Sequence, residues 1–272
     1  MLIGVYQPTS PGSTDPVIQF GNLAGFSPRI TSYYTQAFTQ PFPVSFATQM
    51  AGQDTSVLVQ WQPRGTTNQA IAAGQEDNAI WAMAAAVKSV DAQVIISYGQ
   101  EMNGNWYAWG NVSPNTPADY IAAYRHIHDI FQEAQAFNVT WLWDPNVSYQ
   151  GSSPLALWYP GDAYVDWVGL DGYFAEQTDT FDSVFDASIG ELRAFTMKPF
   201  AVGESGATGL AAPQQIASLF AGAALVGAVA VVYFDEAQTG DPQHQNWRLE
   251  DNVQAMAAFK QAVVQYATRP LR

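Results

Sequence analysis

The chain alternates short apolar, β-branched runs with longer stretches whose apolar positions recur at helical spacing. Eight runs read as strands: Leu2–Tyr6, Arg29–Tyr34, Val57–Gln62, Val94–Gln100, Val139–Asp144, Val165–Tyr173, Pro199–Gly203 and Val229–Phe234. Several are apolar almost throughout, the pattern of parallel strands covered on both faces. The clearest helix opens at Thr116 as N-cap, with Pro117 in the first helical position and Asp119 in the first turn. Tyr120, Tyr124, Ile127 and Phe131 then mark one face. A second helix carries Phe181, Val184, Phe185, Ile189 and Leu192, a third follows Pro213, and the last covers roughly Asn252–Ala267. The stretch between the first two strands reads as loop.

Eight strand units separated by helices predict an α/β fold, a closed (β/α)8 TIM barrel. An open doubly wound sheet is the alternative, but it would use a Gly-rich phosphate turn after its first strand, and Tyr6-Gln7-Pro8-Thr9-Ser10-Pro11-Gly12 is not one. No linker, short repeat or low-complexity tract interrupts the pattern, so residues 1–272 read as one domain.

Composition narrows the partners. Apolar residues make up 48% of the 272, enough for a large core, while charged residues make up only 12%, about half the usual share of roughly 25%. Ten Lys and Arg face 24 acids, for a net charge of −14. That balance opposes nucleic acid and anionic membranes and leaves a neutral ligand as the easiest partner. Cysteine is absent, which excludes a thiolate nucleophile and a Cys-ligated metal. No apolar window is long enough for a membrane span. The start, Met1 to Tyr6, reads as a strand and lacks the basic flank of a leader peptide.

Barrel chemistry sits at the carboxyl ends of the strands. The fourth run is followed by Gln100-Glu101-Met102-Asn103-Gly104-Asn105-Trp106-Tyr107-Ala108-Trp109-Gly110, the sixth ends in Asp171 and Tyr173, the seventh leads into Glu204, and the eighth into Asp235 and Glu236. Glu101 and Glu204 each end an apolar run with no cation beside them in sequence. Two carboxyls facing one cavity from opposite sides of a barrel can cleave a glycosidic bond, one as a protonated acid and the other as nucleophile or base. Burial and the charge of its neighbour would raise the pKa of one of the two enough to keep its proton. Aromatic content points the same way. Nine Trp are present, and Trp61, Trp106, Trp109 and Trp247 fall in loops or at strand ends, where flat rings can stack on sugar faces while Gln100 and Asn103 fix hydroxyls. Trp81, Trp141, Trp158 and Trp167 read as packing between helices and barrel. Tyr33 and Tyr34, with Trp61, are candidates for distal subsites.

The segment Gln100–Gly110 resembles the His-Glu-Met-Asn-Gly-x-Trp signature of glycoside hydrolase family 26, which holds β-mannanases with some β-1,3-1,4-glucanases and β-1,3-xylanases. Further similarity follows in order: Trp141–Asn146, Tyr159–Tyr173, the Gly203-Glu204 step, and Asn246-Trp247-Arg248. The resemblance implies a retaining mechanism with Glu101 as acid/base and Glu204 as nucleophile, and Tyr173 bonded to the nucleophile. Asp171 and Trp106 would line sugar subsites. An aromatic of the eighth strand, Tyr233 with Phe234 as the neighbouring alternative, would lie under the sugar attacked, since alternation lets only one point inward. It also implies a polysaccharide partner, most readily β-1,4-mannan, a monomeric chain working outside the cell, and no cofactor. Two positions depart from the family: Gln100 stands where His is usual and Ser97 where Arg is common. The catalytic pair is intact, so activity is expected and specificity is the open matter.

Two other classes compete. A barrel that binds polysaccharide without cutting it would show the same aromatics. A metal-dependent hydrolase would need several His or Asp ligands. The histidines are His126 and His128, two apart on a helix and so not on one face, and His244, near Asp241 in a loop. No metal site is expected. Short loops at the strand ends would leave an open cleft, suited to attack inside a polymer.

Overall fold

The computed structural model describes residues 1–8, 10–237 and 245–267. Asp241 and His244 lie outside them. The described chain closes eight parallel strands in sequence order into a barrel: β1 (Leu2–Tyr6), β2 (Ile30–Tyr34), β3 (Ser56–Trp61), β4 (Val94–Tyr98), β5 (Val139–Trp143), β6 (Trp167–Asp171), β7 (Phe200–Ser205) and β8 (Ala230–Phe234). Helices α1 (Asp15–Ala24), α2 (Val44–Ala51), α3 (Asn68–Ala72), α4 (Asp77–Lys88), α5 (Pro117–Glu133), α6 (Phe181–Arg193), α7 (Ala212–Leu225) and α8 (Val253–Tyr266) cover the outside. Between β5 and β6 the described residues hold only a short 3-10 turn, Leu155–Trp158.

Local chemistry starts the helices where the sequence places them. The Thr116 hydroxyl accepts the Asp119 N–H at 3.2 Å, and Thr180 and Ser183 exchange the reciprocal bonds of a capping box. Such caps are each worth about 1 kcal/mol. The segment between β1 and β2, which reads as loop from sequence, is instead helix α1. Its buried residues Val17, Phe20, Gly21 and Ala24 follow helical spacing. That signal is short and sits in a Ser, Gly and Pro-rich stretch, with a poor helix former, Gly21, on its buried face.

Inside the barrel, Ile30, Leu58, Ile95, Leu142, Ala201 and Val232 form an apolar plug toward the amino ends of the strands. Two residues further along the same strands, the inner face turns polar: Ser32, Gln60, Ser97 and Asp144. The alternate residues, among them Tyr33, Val59, Tyr98, Trp143 and Tyr233, join the larger core under the helices. Apolar layers thus hold the barrel shut from below and outside, and the polar layer faces the end where the loops gather.

Strand β7 breaks this alternation. Leu170 pairs with Val202 and Asp171 with Glu204, while on the other side Val202 pairs with Val231 and Ser205 with Tyr233. One residue of β7 is therefore supernumerary, a bulge that puts both Gly203 and Glu204 on the inner side.

Candidate active site

A cavity of about 480 Å³ opens at the carboxyl ends of the strands, and both Glu101 and Glu204 line it. They retain 8% and 7% exposure, all that the cavity leaves them. Glu101 follows β4 with φ +54, a left-handed backbone that a side chain adopts at a cost of about 1–3 kcal/mol. Its N–H is held by the Asp144 carbonyl at 2.8 Å. Trp106 Nε1 donates to Glu101 Oε2 and Asn146 Nδ2 to Glu101 Oε1, both at 2.7 Å. Asn146 is in turn fixed by Asn103, whose amide bonds its backbone carbonyl at 2.8 Å and its N–H at 2.9 Å.

Glu204 receives the Tyr173 hydroxyl on Oε2 at 2.9 Å and the Gln60 amide on Oε1 at 3.3 Å, and the Tyr34 hydroxyl also faces it. Neither carboxyl has a cationic partner among the described residues. Burial pushes the Glu101 pKa up, against the pull of Trp106 and Asn146. Burial and then the charge of Glu101 push Glu204 up to about 8, against Tyr34 and Tyr173. Two such groups in one cavity titrate as a pair and hold a proton between them into the neutral range. One protonated and one ionised carboxyl is the state that acid and nucleophile require.

The walls are aromatic. Tyr6, Tyr34, Trp106, Tyr107, Phe234 and Trp247 line the cavity, with Gln36, Gln62, Arg64 and Glu236 at its edges. Tyr6 stacks on Phe234 with ring centres 4.8 Å apart, and Trp247 packs against both Tyr173 and Phe234. Trp106 is 46% exposed and lies 5.6 Å from Tyr149, so the flat surface continues past Glu101. Two carboxyls, neutral donors and exposed rings are chemically able to receive an uncharged, ring-bearing ligand.

The sequence profile of glycosyl hydrolase family 26 matches residues 15–216. The chain belongs to that family. Endoglucanase H of Acetivibrio thermocellus is 30% identical over 229 residues, 79% of this chain but 25% of that protein. A mannan endo-1,4-beta-mannosidase of Bacillus subtilis is 30% identical over 45% of this chain and 33% of its own length, and the beta-1,3-xylanase TXYA of a Vibrio species 30% over 49% and 28%. The chain thus spans about a quarter to a third of these relatives. Among solved structures, a double mutant of a Cellulomonas fimi endo-beta-1,4-mannanase superposes with TM-score 0.71 at 16% identity, over 98% of this chain and 72% of the other. The catalytic domain of a Bacillus sp. JAMB-750 family 26 endo-beta-1,4-mannanase gives 0.70 at 17%, over 98% and 87%. At these identities the superpositions speak for the barrel.

The structure brings Glu101, Glu204, Trp106, Tyr173 and Trp247 to one cavity and sends other candidates elsewhere. Tyr233 points outward: its hydroxyl lies 3.3 Å from the Ala207 backbone and its ring packs on Phe259 of α8, so Phe234 is the inward aromatic of β8. Trp61 also faces outward, stacked on Phe38 at 4.7 Å with its Nε1 bonded to the Phe38 carbonyl. Tyr33 is buried against Phe46. Trp109 is buried beneath Tyr107 at 4.3 Å, with the Arg64 guanidinium 5.6 Å from its ring, so Tyr107 rather than Trp109 meets the cavity. Asn103 acts on Asn146 and does not line the cavity. Gln100 and Asp171 are fully buried and do not line it either. Of the tryptophans read as packing, Trp141 and Trp158 are buried, whereas Trp81 is 40% exposed on α4. His126 pairs with Asp77 at 2.6 Å and His128 with Asp129 at 3.1 Å, both away from the cavity.

Sequence reasoning passed over Gln60, Asp144 and Asn146 as members of the site, and Tyr6, Gln36, Gln62 and Arg64 as its walls. A signal for Gln60 was present: a polar residue in an apolar strand, in phase with Leu58 and Gln62 on the inner face.

Proposed function

We propose that this chain is a retaining, endo-acting glycoside hydrolase of a neutral β-linked polysaccharide. Glu204 attacks the anomeric carbon while Glu101 protonates the departing oxygen, and Glu101 then takes a proton from the water that releases the sugar. The observation that carries this reading is the pairing of Glu101 and Glu204 on one aromatic-walled cavity, each held by neutral donors alone. The nucleophile role for Glu204 is supported by its bonds to the Tyr173 hydroxyl and to Gln60 of the barrel interior. The acid role for Glu101 is supported by its bond to half-exposed Trp106 at the rim, where a leaving sugar can depart. Endo action is supported by the Trp106–Tyr149 surface, which extends past the acids.

β-1,4-Mannan is the first backbone proposed, with the chain working outside the cell as a monomer. A β-glucan is the second, favoured by the 79% of this chain that aligns with endoglucanase H and by Gln100 in place of the family's usual His. The test is a panel of mannan, mixed-linkage glucan and β-1,3-xylan with reducing-end assay and product sizing. Early mid-length oligosaccharides from one polymer, abolished in Glu204→Ala, are expected. No cleavage of any polymer by the wild-type chain, or near-normal rates in Glu204→Ala, overturns the proposal.

A further inference from the structure

Beneath the two glutamates lies a third acid with no role in the chemistry above. Asp144, just past β5, is 1% exposed and does not line the cavity. Its carboxyl is wedged between two glycines on neighbouring strands. A Cβ at Gly169 of β6 would stand 2.0 Å from Asp144 Oδ1, and a Cβ at Gly203 of β7 would stand 2.0 Å from Oδ2. The glycine before Glu204 is thus required by the buried acid. Any side chain there would push Asp144 out or the strands apart.

Asp144 reaches the nucleophile through one group. Gln60 Nε2 donates one hydrogen toward Asp144 Oδ2 and the other toward Glu204 Oε1, each at 3.3 Å. Asp171, itself fully buried and in strand register with Glu204, faces Asp144 from β6. Asp144 Oδ1 and both carboxyl oxygens of Asp171 have no hydrogen-bond partner among the described residues, and burial with the charges of Asp144 and Glu204 raises the Asp171 pKa well above the usual carboxylate range, so Asp171 keeps its proton. Asp144 thus has the Gln60 amide as side-chain donor and, at about 7, ionises ahead of Glu204 at about 8.

We propose that Asp144 is a positioning residue for Glu204: it anchors the Gln60 amide against the nucleophile and, when ionised, competes with Glu204 for negative charge, so that it sets the acidic side of the activity profile. This rests on the assignment of Glu204 as nucleophile.

Among the described residues, the groups facing this pair are neutral or acidic donors and acceptors, with one distant exception. Glu101 faces both from the end of β4, and Asp171 from β6. Tyr34 of β2 and Tyr173 after β6 face Glu204, with Tyr6 of β1 behind them. Tyr120 and Tyr124 of α5 face Asp144 from outside the barrel. Tyr107 lies above, between the glutamates and Arg64, whose guanidinium is engaged by Gln62 and the Trp109 ring. With no cation among the immediate neighbours in the described residues, each added charge is felt by the others. Burial raises the Asp144 pKa to about 7, and the charge of Asp144 is one of the causes that raise Glu204.

Two substitutions push the nucleophile in opposite directions. Asp144→Asn keeps the shape and removes the competing charge, so the acid limb of kcat/KM should move to lower pH by about half to one unit. Gln60→Met keeps the bulk and removes the donor, so the same limb should move to higher pH with kcat reduced and KM little changed. The assay is the pH profile of the wild-type chain and both variants on whichever polysaccharide the panel identifies, with thermal melting in parallel. Opposite shifts support the proposal. Unmoved limbs, shifts in one common direction, or a lowered Tm with an unmoved limb in both variants overturn it. If Asp144→Asn does not fold, Gln60→Met decides alone, and a limb that fails to rise is refutation. A wild-type chain that cleaves no polymer defeats the functional reading instead, which separates the two failures.

Discussion

Replacing Tyr173 with Phe tests the surroundings of Glu204, the proposed nucleophile, with the least disturbance. The variant loses one atom, the hydroxyl that donates to Glu204 Oε2 at 2.9 Å. The ring stays, and with it the contacts to Trp247 at 4.8 Å and Phe234 at 5.9 Å. A hydrogen bond to a charged acceptor is worth about 1.5–3 kcal/mol net. It is made most fully when Glu204 is ionised and poised to attack, so its loss should lower kcat/KM by roughly ten- to 150-fold at 1.36 kcal/mol per tenfold. Glu204 already lies up at about 8 through burial and the charge of Glu101, and Tyr173 pulls against both. Removing the hydroxyl raises it further, so the acid limb of the pH–rate profile should move to higher pH. The assay is kcat/KM from about pH 4 to 9 on the identified polysaccharide, alongside melting curves. The melting temperature should stay within roughly 4 °C of the wild type, since the packing is retained. Activity within twofold of wild type and an unshifted limb would refute the reasoning, because Glu204 would then not depend on Tyr173 for its charge.

Trp106→Phe removes a donor to Glu101 and keeps an aromatic rim; the alkaline limb of the profile should rise, since Trp106 holds the Glu101 pKa down. An acid limb that moves in its place would assign Glu101 the other role. Tyr233→Phe should leave KM unchanged, because that hydroxyl meets the Ala207 backbone, whereas Phe234→Ala should cut kcat/KM by more than about tenfold through loss of the inward ring. Equal effects would contradict the orientation of β8. Stability should fall as pH rises. Burial lifts Asp144 to about 7 and Glu204 and Asp235 to about 8, so between the usual carboxylate range and pH 8 the native chain binds more protons than the unfolded one. Their stabilising contribution is complete at low pH and is lost through those values. Tm should drop from about pH 5 to 9 and should still do so in about 0.5 M salt, which screens surface repulsion; a flat or rising curve would show that these acids ionise freely in the fold.

How much could be read beforehand depended on distance along the chain. The eight strands, the helix behind Thr116 and the aromatic segment Gln100–Gly110 announce themselves within a few residues, because periodicity and capping are local properties of the backbone. Helix α1 was hidden since its apolar face is brief and contains Gly21. Residues at the strand ends were harder. Trp61 and Trp109 have the composition of sugar-binding rings, yet each is packed under another aromatic, a contact made by elements remote in sequence.

By itself, the order of residues determined the barrel and placed two glutamates near its carboxyl end, since burial on both faces and a period of two are written into each strand. The direction of Glu204 was not written there. Simple alternation puts Gly203 inside with Ala201 and turns Glu204 outward. Only the pairing of β7 with β6 and β8 inserts the extra residue that brings the carboxyl into the cavity. The same pairing seats Asp144 between Gly169 and Gly203 and puts Gln60 within reach of both acids. Register is a relation between strands, fixed by closure of the whole barrel, and for that reason the charged layer under the site emerges from tertiary structure alone.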